Sequence, residues 1–153
     1  MQTRKSMKVS MTAAALLLAG FAVQLGSTGV ARAEDRNRYS ASAICGTGYS
    51  VIDQHSKDGF YYTYLLYNSS NGNNCVVTLK QRDFGSRTYV QAHIRPAPGH
   101  YTSRTVDEDD YKYYAGPVYL HAPGRCVVWG GYVDVEHRRY GYNTPSDRGE
   151  HCG

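Results

Sequence analysis

Apolar and polar side chains alternate strictly over residues 87–95: Val90, Ala92 and Ile94 fall on one face, Tyr89, Gln91, His93 and Arg95 on the other. A period of two is the signature of a half-buried strand. The same logic predicts a strand at 49–53 and another at 60–67, the latter apolar on both faces. The turn formers of 68–74, with the Asn71-Gly72 step, then lead into a return strand at 75–82, completing a hairpin. Residues 83–86 form a further turn, Pro96-Ala-Pro-Gly99 breaks the pattern, and 105–110 reads as an acidic loop. Short strands follow at 111–115 and 118–122 around Gly116-Pro117, and Pro123-Gly124 turns the chain into a strand at 125–135. The tail, 136–153, is polar and reads as irregular. No ten-residue window carries a capped helical stripe. Strands at short intervals with Gly, Pro and Asn turns predict an all-β fold, a small antiparallel β-sandwich or barrel.

Ahead of this pattern, Arg4, Lys5 and Lys8 precede the apolar run 12–23, which is short for a bilayer-spanning helix of roughly 20 residues. Ala31-Arg32-Ala33 supplies a small-x-small cleavage site. The expected organisation is a secretory signal peptide at 1–33, a flexible N-terminal arm at 34–44 and one all-β domain at 45–153. The product is expected outside the cell, or on the cell or spore surface, with no membrane association after cleavage. Removing the leader changes the charge. The chain has 17 basic and 13 acidic residues, and Arg4, Lys5, Lys8 and Arg32 belong to the leader. Thirteen of each sign remain, so the net basic face that nucleic-acid binding demands is not expected.

Four cysteines, Cys45, Cys75, Cys126 and Cys152, all follow the cleavage site. In an exported chain an even number implies disulfides, here two, with three possible connectivities. Cys75-Val-Val and Cys126-Val-Val both open strands, so Cys75–Cys126 is expected to join facing strands and Cys45–Cys152 to tie the chain ends. With its thiols oxidised, the chain is not expected to offer a thiolate nucleophile or thiolate metal ligand. All 15 tyrosines also follow the leader. Tyr favours strands and can bury its ring while its hydroxyl stays wet.

Three stretches together carry a resemblance: Cys45-Gly-Thr-Gly-Tyr-Ser-Val-Ile52, Tyr64-Leu-Leu-Tyr-Asn-Ser-Ser-Asn-Gly-Asn-Asn-Cys-Val-Val-Thr78, and Tyr114-Ala-Gly-Pro-Val-Tyr-Leu-His-Ala-Pro-Gly-Arg-Cys-Val-Val-Trp-Gly-Gly131. In these the chain resembles the spore-associated protein A family of small secreted proteins from filamentous actinomycetes. The resemblance implies a location at the spore or cell surface and brings no catalytic residues with it.

Candidate chemistry is sparse. Trp129 is placed opposite Cys126 and Val128, so that Trp129 and Tyr119 could form an exposed aromatic platform for sugar rings, the alternative being a Trp packed beneath the tail. Tyr89 and His93 are further candidates for ligand contact, with a solvated His93 as the simpler expectation. Asp107-Glu-Asp-Asp110 lacks the spacing and central glycine of a Ca²⁺ loop, and a solvated acidic loop is expected. Glu136, His137 and Arg139, with His93, Glu150 and His151, are residue types that a secreted nuclease uses, provided the fold gathers them. No nucleophile elbow, zinc-protease helix or phosphate loop is present. Asn68-Ser69-Ser70 has the form of a glycosylation acceptor and equally suits a turn. The expectation is a non-enzymatic structural or interaction protein that needs no cofactor or metal and meets a cell-wall or spore-surface polymer or protein. A carbohydrate- or cell-wall-binding module and a small secreted hydrolase or nuclease are the alternatives.

Overall fold

A computed structural model describes residues 37–57 and 59–153. The leader at 1–33 and the first residues of the arm lie outside the described residues. Among the described residues the strands are β1 (Ser50–Lys57), β2 (Tyr61–Asn68), β3 (Asn73–Lys80), β4 (Thr88–Pro96), β5 (Thr105–Tyr111), β6 (Tyr114–His121), β7 (Val127–Val135) and β8 (Arg138–Asn143), with one short α-helix, α1 (Ala41–Cys45). They form two four-stranded sheets, ordered β1-β2-β3-β6 and β5-β4-β7-β8, and every neighbouring pair is antiparallel. The fold is an all-β, disulfide-braced sandwich, as the alternation predicted.

The core lies between the sheets. Tyr61, Leu65, Val76 and Val118 face Val90, Ala92, Ile94, Val127, Trp129, Val133 and Val135. One polar pair sits inside it: the Thr63 and Thr78 hydroxyls hydrogen-bond at 3.1 Å. Gly131 lies against them, and a Cβ there would overlap Thr78 Oγ1, so only glycine admits the pair. Lys80 is also fully buried; its ammonium donates to Ser86 O (2.9 Å) and Thr88 Oγ1 (2.7 Å), and burial lowers its pKa.

A second apolar cluster lies on the outer side of the first sheet, where Leu66, Cys75, Val77 and Leu79 meet Ala41 and Cys45 of α1. This explains why β2 and β3 are apolar on both faces. It also corrects the flexible arm expected at 34–44 over its described part, residues 37–44. Asn37 donates from Nδ2 to Lys80 O and Tyr113 O (3.0 and 2.8 Å), and the helix that follows docks on the sheet.

The disulfides are Cys45–Cys75 and Cys126–Cys152, not the expected Cys75–Cys126 and Cys45–Cys152. Cys75 points outward from β3 towards α1, whereas Cys126 precedes β7 in the other sheet, so the sandwich core separates them. Near the end of the chain, Val127 and Glu150 exchange backbone hydrogen bonds of 2.9 Å, which brings Cys152 beside Cys126.

Two further expectations change. The acidic stretch at 105–110 is edge strand β5, not a loop, because its backbone pairs with β4 from Thr88↔Tyr111 to Ile94↔Thr105. Charged side chains suit an edge, where they discourage pairing with other chains. The tail at 136–153 contains β8, whose Tyr140 and Tyr142 pack against the core.

Candidate functional site

The outward face of β4 supplies the site. Val90, Ala92 and Ile94 are held in the core, so Tyr89, Gln91, His93 and Arg95 project from the second sheet. Register sets Glu108 of β5 beside Gln91, and Gly130 of β7 between His93 and Asn143 of β8. A Cβ on Gly130 would meet His93 Cε1 at 3.0 Å, so the glycine leaves the imidazole its space.

A hydrogen-bonded chain crosses the sheet. Tyr89 OH donates to Glu108 Oε2 (2.8 Å), and Gln91 Nε2 donates to Tyr89 OH (2.8 Å) and to Glu108. Gln91 Oε1 lies 3.1 Å from His93 Nδ1, and His93 Nε2 lies 2.9 Å from Asn143 Oδ1. Burial holds the His93 pKa below its ordinary value, against the opposing pull of the Asn143 carbonyl. Burial and the bond to Glu108 push Tyr89 up to about 12, while Gln91 and Tyr89 keep the Glu108 carboxyl below its usual range. Arg139 lies 4.2 Å over the Tyr89 ring and grips Asp134 with two bonds of 2.7 and 2.9 Å.

Beside this network a cavity of about 330 Å³ opens between the sheet and the turn at Tyr101–Ser103. His93, Arg95, Tyr132 and Asn143 line its sheet side, with Tyr101, Arg104, His100 and Asp147 around it. Arg95 is almost fully buried, donates to Gly99 O (2.7 Å) and pairs with Asp147. Arg104 lies 4.1 Å over the Tyr101 ring and 3.9 Å from Glu108. Fixed cations, amides and aromatic edges on a rigid sheet can hold a polar ligand by charge-assisted hydrogen bonds and ring contact.

The cavity thus takes in His93 and adjoins Tyr89, but the platform expected from Trp129 and Tyr119 does not form. Trp129 is fully buried, in phase with Val127 and Val133, and donates from Nε1 to Glu150 Oε2 (3.1 Å). Tyr119 stands on the first sheet, 43% exposed, its hydroxyl donating to Cys45 O (2.9 Å). His93, expected to be solvated, is 3% exposed because Gln91, Asn143 and the Tyr101 turn enclose it.

The sequence reading did not single out Tyr101, Arg104, Asn143 or Asp147. They come from two separate stretches, 101–104 and 143–147, and only the folded chain joins them to β4; His93 and Arg95 were visible through their place in the β4 alternation.

The nuclease set does not converge. Glu136 and His137 occupy the β7–β8 turn, at positive φ, whereas Glu150 pairs with Val127 at the other end of β7. Eight steps of strand separate the two ends, about 26 Å. Asp107 is occupied as well, accepting from Tyr111 OH and the Gly116 amide, both at 2.6 Å. Asn68 Oδ1 accepts from Ser70 N (3.0 Å) and Oγ (2.6 Å), the turn alternative for Asn68-Ser69-Ser70.

Comparison with known proteins places the chain. It is 36% identical over 135 residues to spore-associated protein A of Streptomyces coelicolor, an alignment covering 88% of this chain and 84% of that protein. The chain belongs to the spore-associated protein A family. No protein-family model matches it, and no solved structure does so to significance. Membership in the spore-associated protein A family and the two disulfides together point to an extracellular or surface location.

Proposed function

We propose that this protein is exported by its leader and serves as a non-enzymatic interaction protein of the spore or cell exterior. In this reading it meets a cell-wall or spore-surface polymer through the cavity on its second sheet. The observation that carries the reading is the lining of that cavity. Arg95, paired with Asp147, and Arg104, 3.9 Å from Glu108, line it, with Tyr101 exposed at the rim. Such a lining suits a polymer that combines sugar rings with carboxylate or phosphate groups. The name of the Streptomyces coelicolor relative, spore-associated protein A, supports the location, and the separation of Glu136 and His137 from Glu150 and His151 supports a binding role over hydrolysis.

Co-sedimentation with purified cell walls and spore envelopes tests it. The intact protein pellets with the polymer, and Tyr101→Ala with Arg104→Ala lowers the bound fraction at least tenfold. Equal retention of the double variant moves the contact elsewhere, and no pelleting with either material ends the proposal.

A further inference from the structure

We propose that Asp53, Glu150 and His151 form a binding site for a divalent transition-metal ion of the zinc type. The site shares no residue with the cavity lining and does not depend on the function proposed above. Asp53 comes from β1, the edge strand of the first sheet, whereas Glu150 and His151 follow β8 and lie beside the start of β7 in the second. Their donor atoms all lie within 4.8 Å of one another. Zinc bonds of about 2.0–2.2 Å in tetrahedral geometry set donors about 3.4 Å apart, so closing the set takes side-chain rotation alone.

The structure prepares this set in three ways. Glu150 is locked by its backbone bonds to Val127, and Cys152, two residues on, is tied to Cys126. Its carboxylate is aimed from behind: Trp129 Nε1 donates to Oε2 (3.1 Å), and Tyr142 OH lies 2.9 and 3.0 Å from the two oxygens. Outer donors of this kind fix a ligand's orientation while leaving lone pairs for an ion. Finally, His151 Nε2 and Asp53 Oδ2 already meet at 2.8 Å, each side chain about one-third exposed, so both partners are open to solvent. An ion between the two atoms takes the place of that hydrogen bond.

The donor set also selects the ion. One imidazole with two carboxylates matches zinc, whereas Ca²⁺ takes six to eight oxygens. Three protein ligands leave a fourth position to water, or to a donor from another molecule. Binding fastens the edge strand of one sheet to the closing segment of the other, so the ion acts as a third clasp beside the two disulfides.

The test is calorimetric titration of the untagged, chelator-treated full chain with ZnCl₂ and, separately, CaCl₂. The expected result is one zinc per chain, with calcium at least a hundredfold weaker. Asp53→Asn and His151→Gln, each with both disulfides intact and an unchanged circular-dichroism spectrum, lower zinc affinity at least tenfold. Zinc raises the thermal midpoint of the parent protein and not that of His151→Gln. Absence of zinc binding, or zinc affinity unchanged in both variants, overturns the proposal.

Discussion

The two sheets present similar apolar faces to each other and unlike faces to the outside. On the first, Leu66, Cys75, Val77 and Leu79 form an apolar outer surface that α1 and the Cys45–Cys75 bond close over. On the second, Tyr89, Gln91, His93 and Arg95 form a polar one, satisfied by its own hydrogen bonds and by the turn above it. An apolar outer face must be covered, because leaving it in water costs about 25 cal/mol per Å². A polar face with paired donors and acceptors can stay open. The first sheet therefore contributes stability on both sides, whereas the second gives one side to the core and keeps the other for contact.

The largest test of this contrast is Leu66→Ala, which removes a fully buried side chain beneath α1. It is expected to cost about 2–5 kcal/mol in urea unfolding. A loss no greater than that from Arg104→Ala would erase the distinction. Replacing Cys45 and Cys75 by Ser comes next, at about 2–4 kcal/mol. Limited proteolysis should then cut near α1, while Cys126–Cys152 stays closed.

His93 sharpens the other half of the comparison. Its folded pKa lies below the ordinary 6.5, so between those two values the unfolded chain binds the extra proton. Stability attributable to His93 is complete above 6.5, declines as pH falls through that window and levels out below it. Denaturant midpoints taken from pH 7.5 to 4.5 should fall less steeply for His93→Gln than for the parent. The smallest stability effect belongs to Arg104→Ala, under about 1 kcal/mol, because its ion pair is long and solvent-screened. Its consequence should appear instead as lost retention on envelope polymer.

Much of the fold was legible in local pattern. Residues 87–95 alternate cleanly and form β4, and the Asn71-Gly72 step marks the β2–β3 hairpin, where Gly72 takes a φ of +71°. The phase of β7 was also readable: Val127, Trp129, Val133 and Val135 sit on one face, and Asp134 marks the other as outward. Reading Cys126 and Val128 inward reversed it and put Trp129 outside. β5 was missed because an exposed edge strand needs no apolar residues, only backbone to pair with. In β8, Tyr140 and Tyr142 are two apart, a signal obscured by the surrounding charges.

The sequence by itself determined that the described part of this protein is all-β and closed by two disulfides. Those properties follow from local periodicity, turn chemistry and cysteine count. Which cysteines join, which face Trp129 takes, and how Arg95, Arg104, Asn143 and Asp147 come to share a cavity were decided only by tertiary structure. The same holds for Asp53 meeting His151, which lies 98 residues further along the chain. Such meetings depend on how two sheets stack and where the closing segment docks, and burial of the shared core between them sets both.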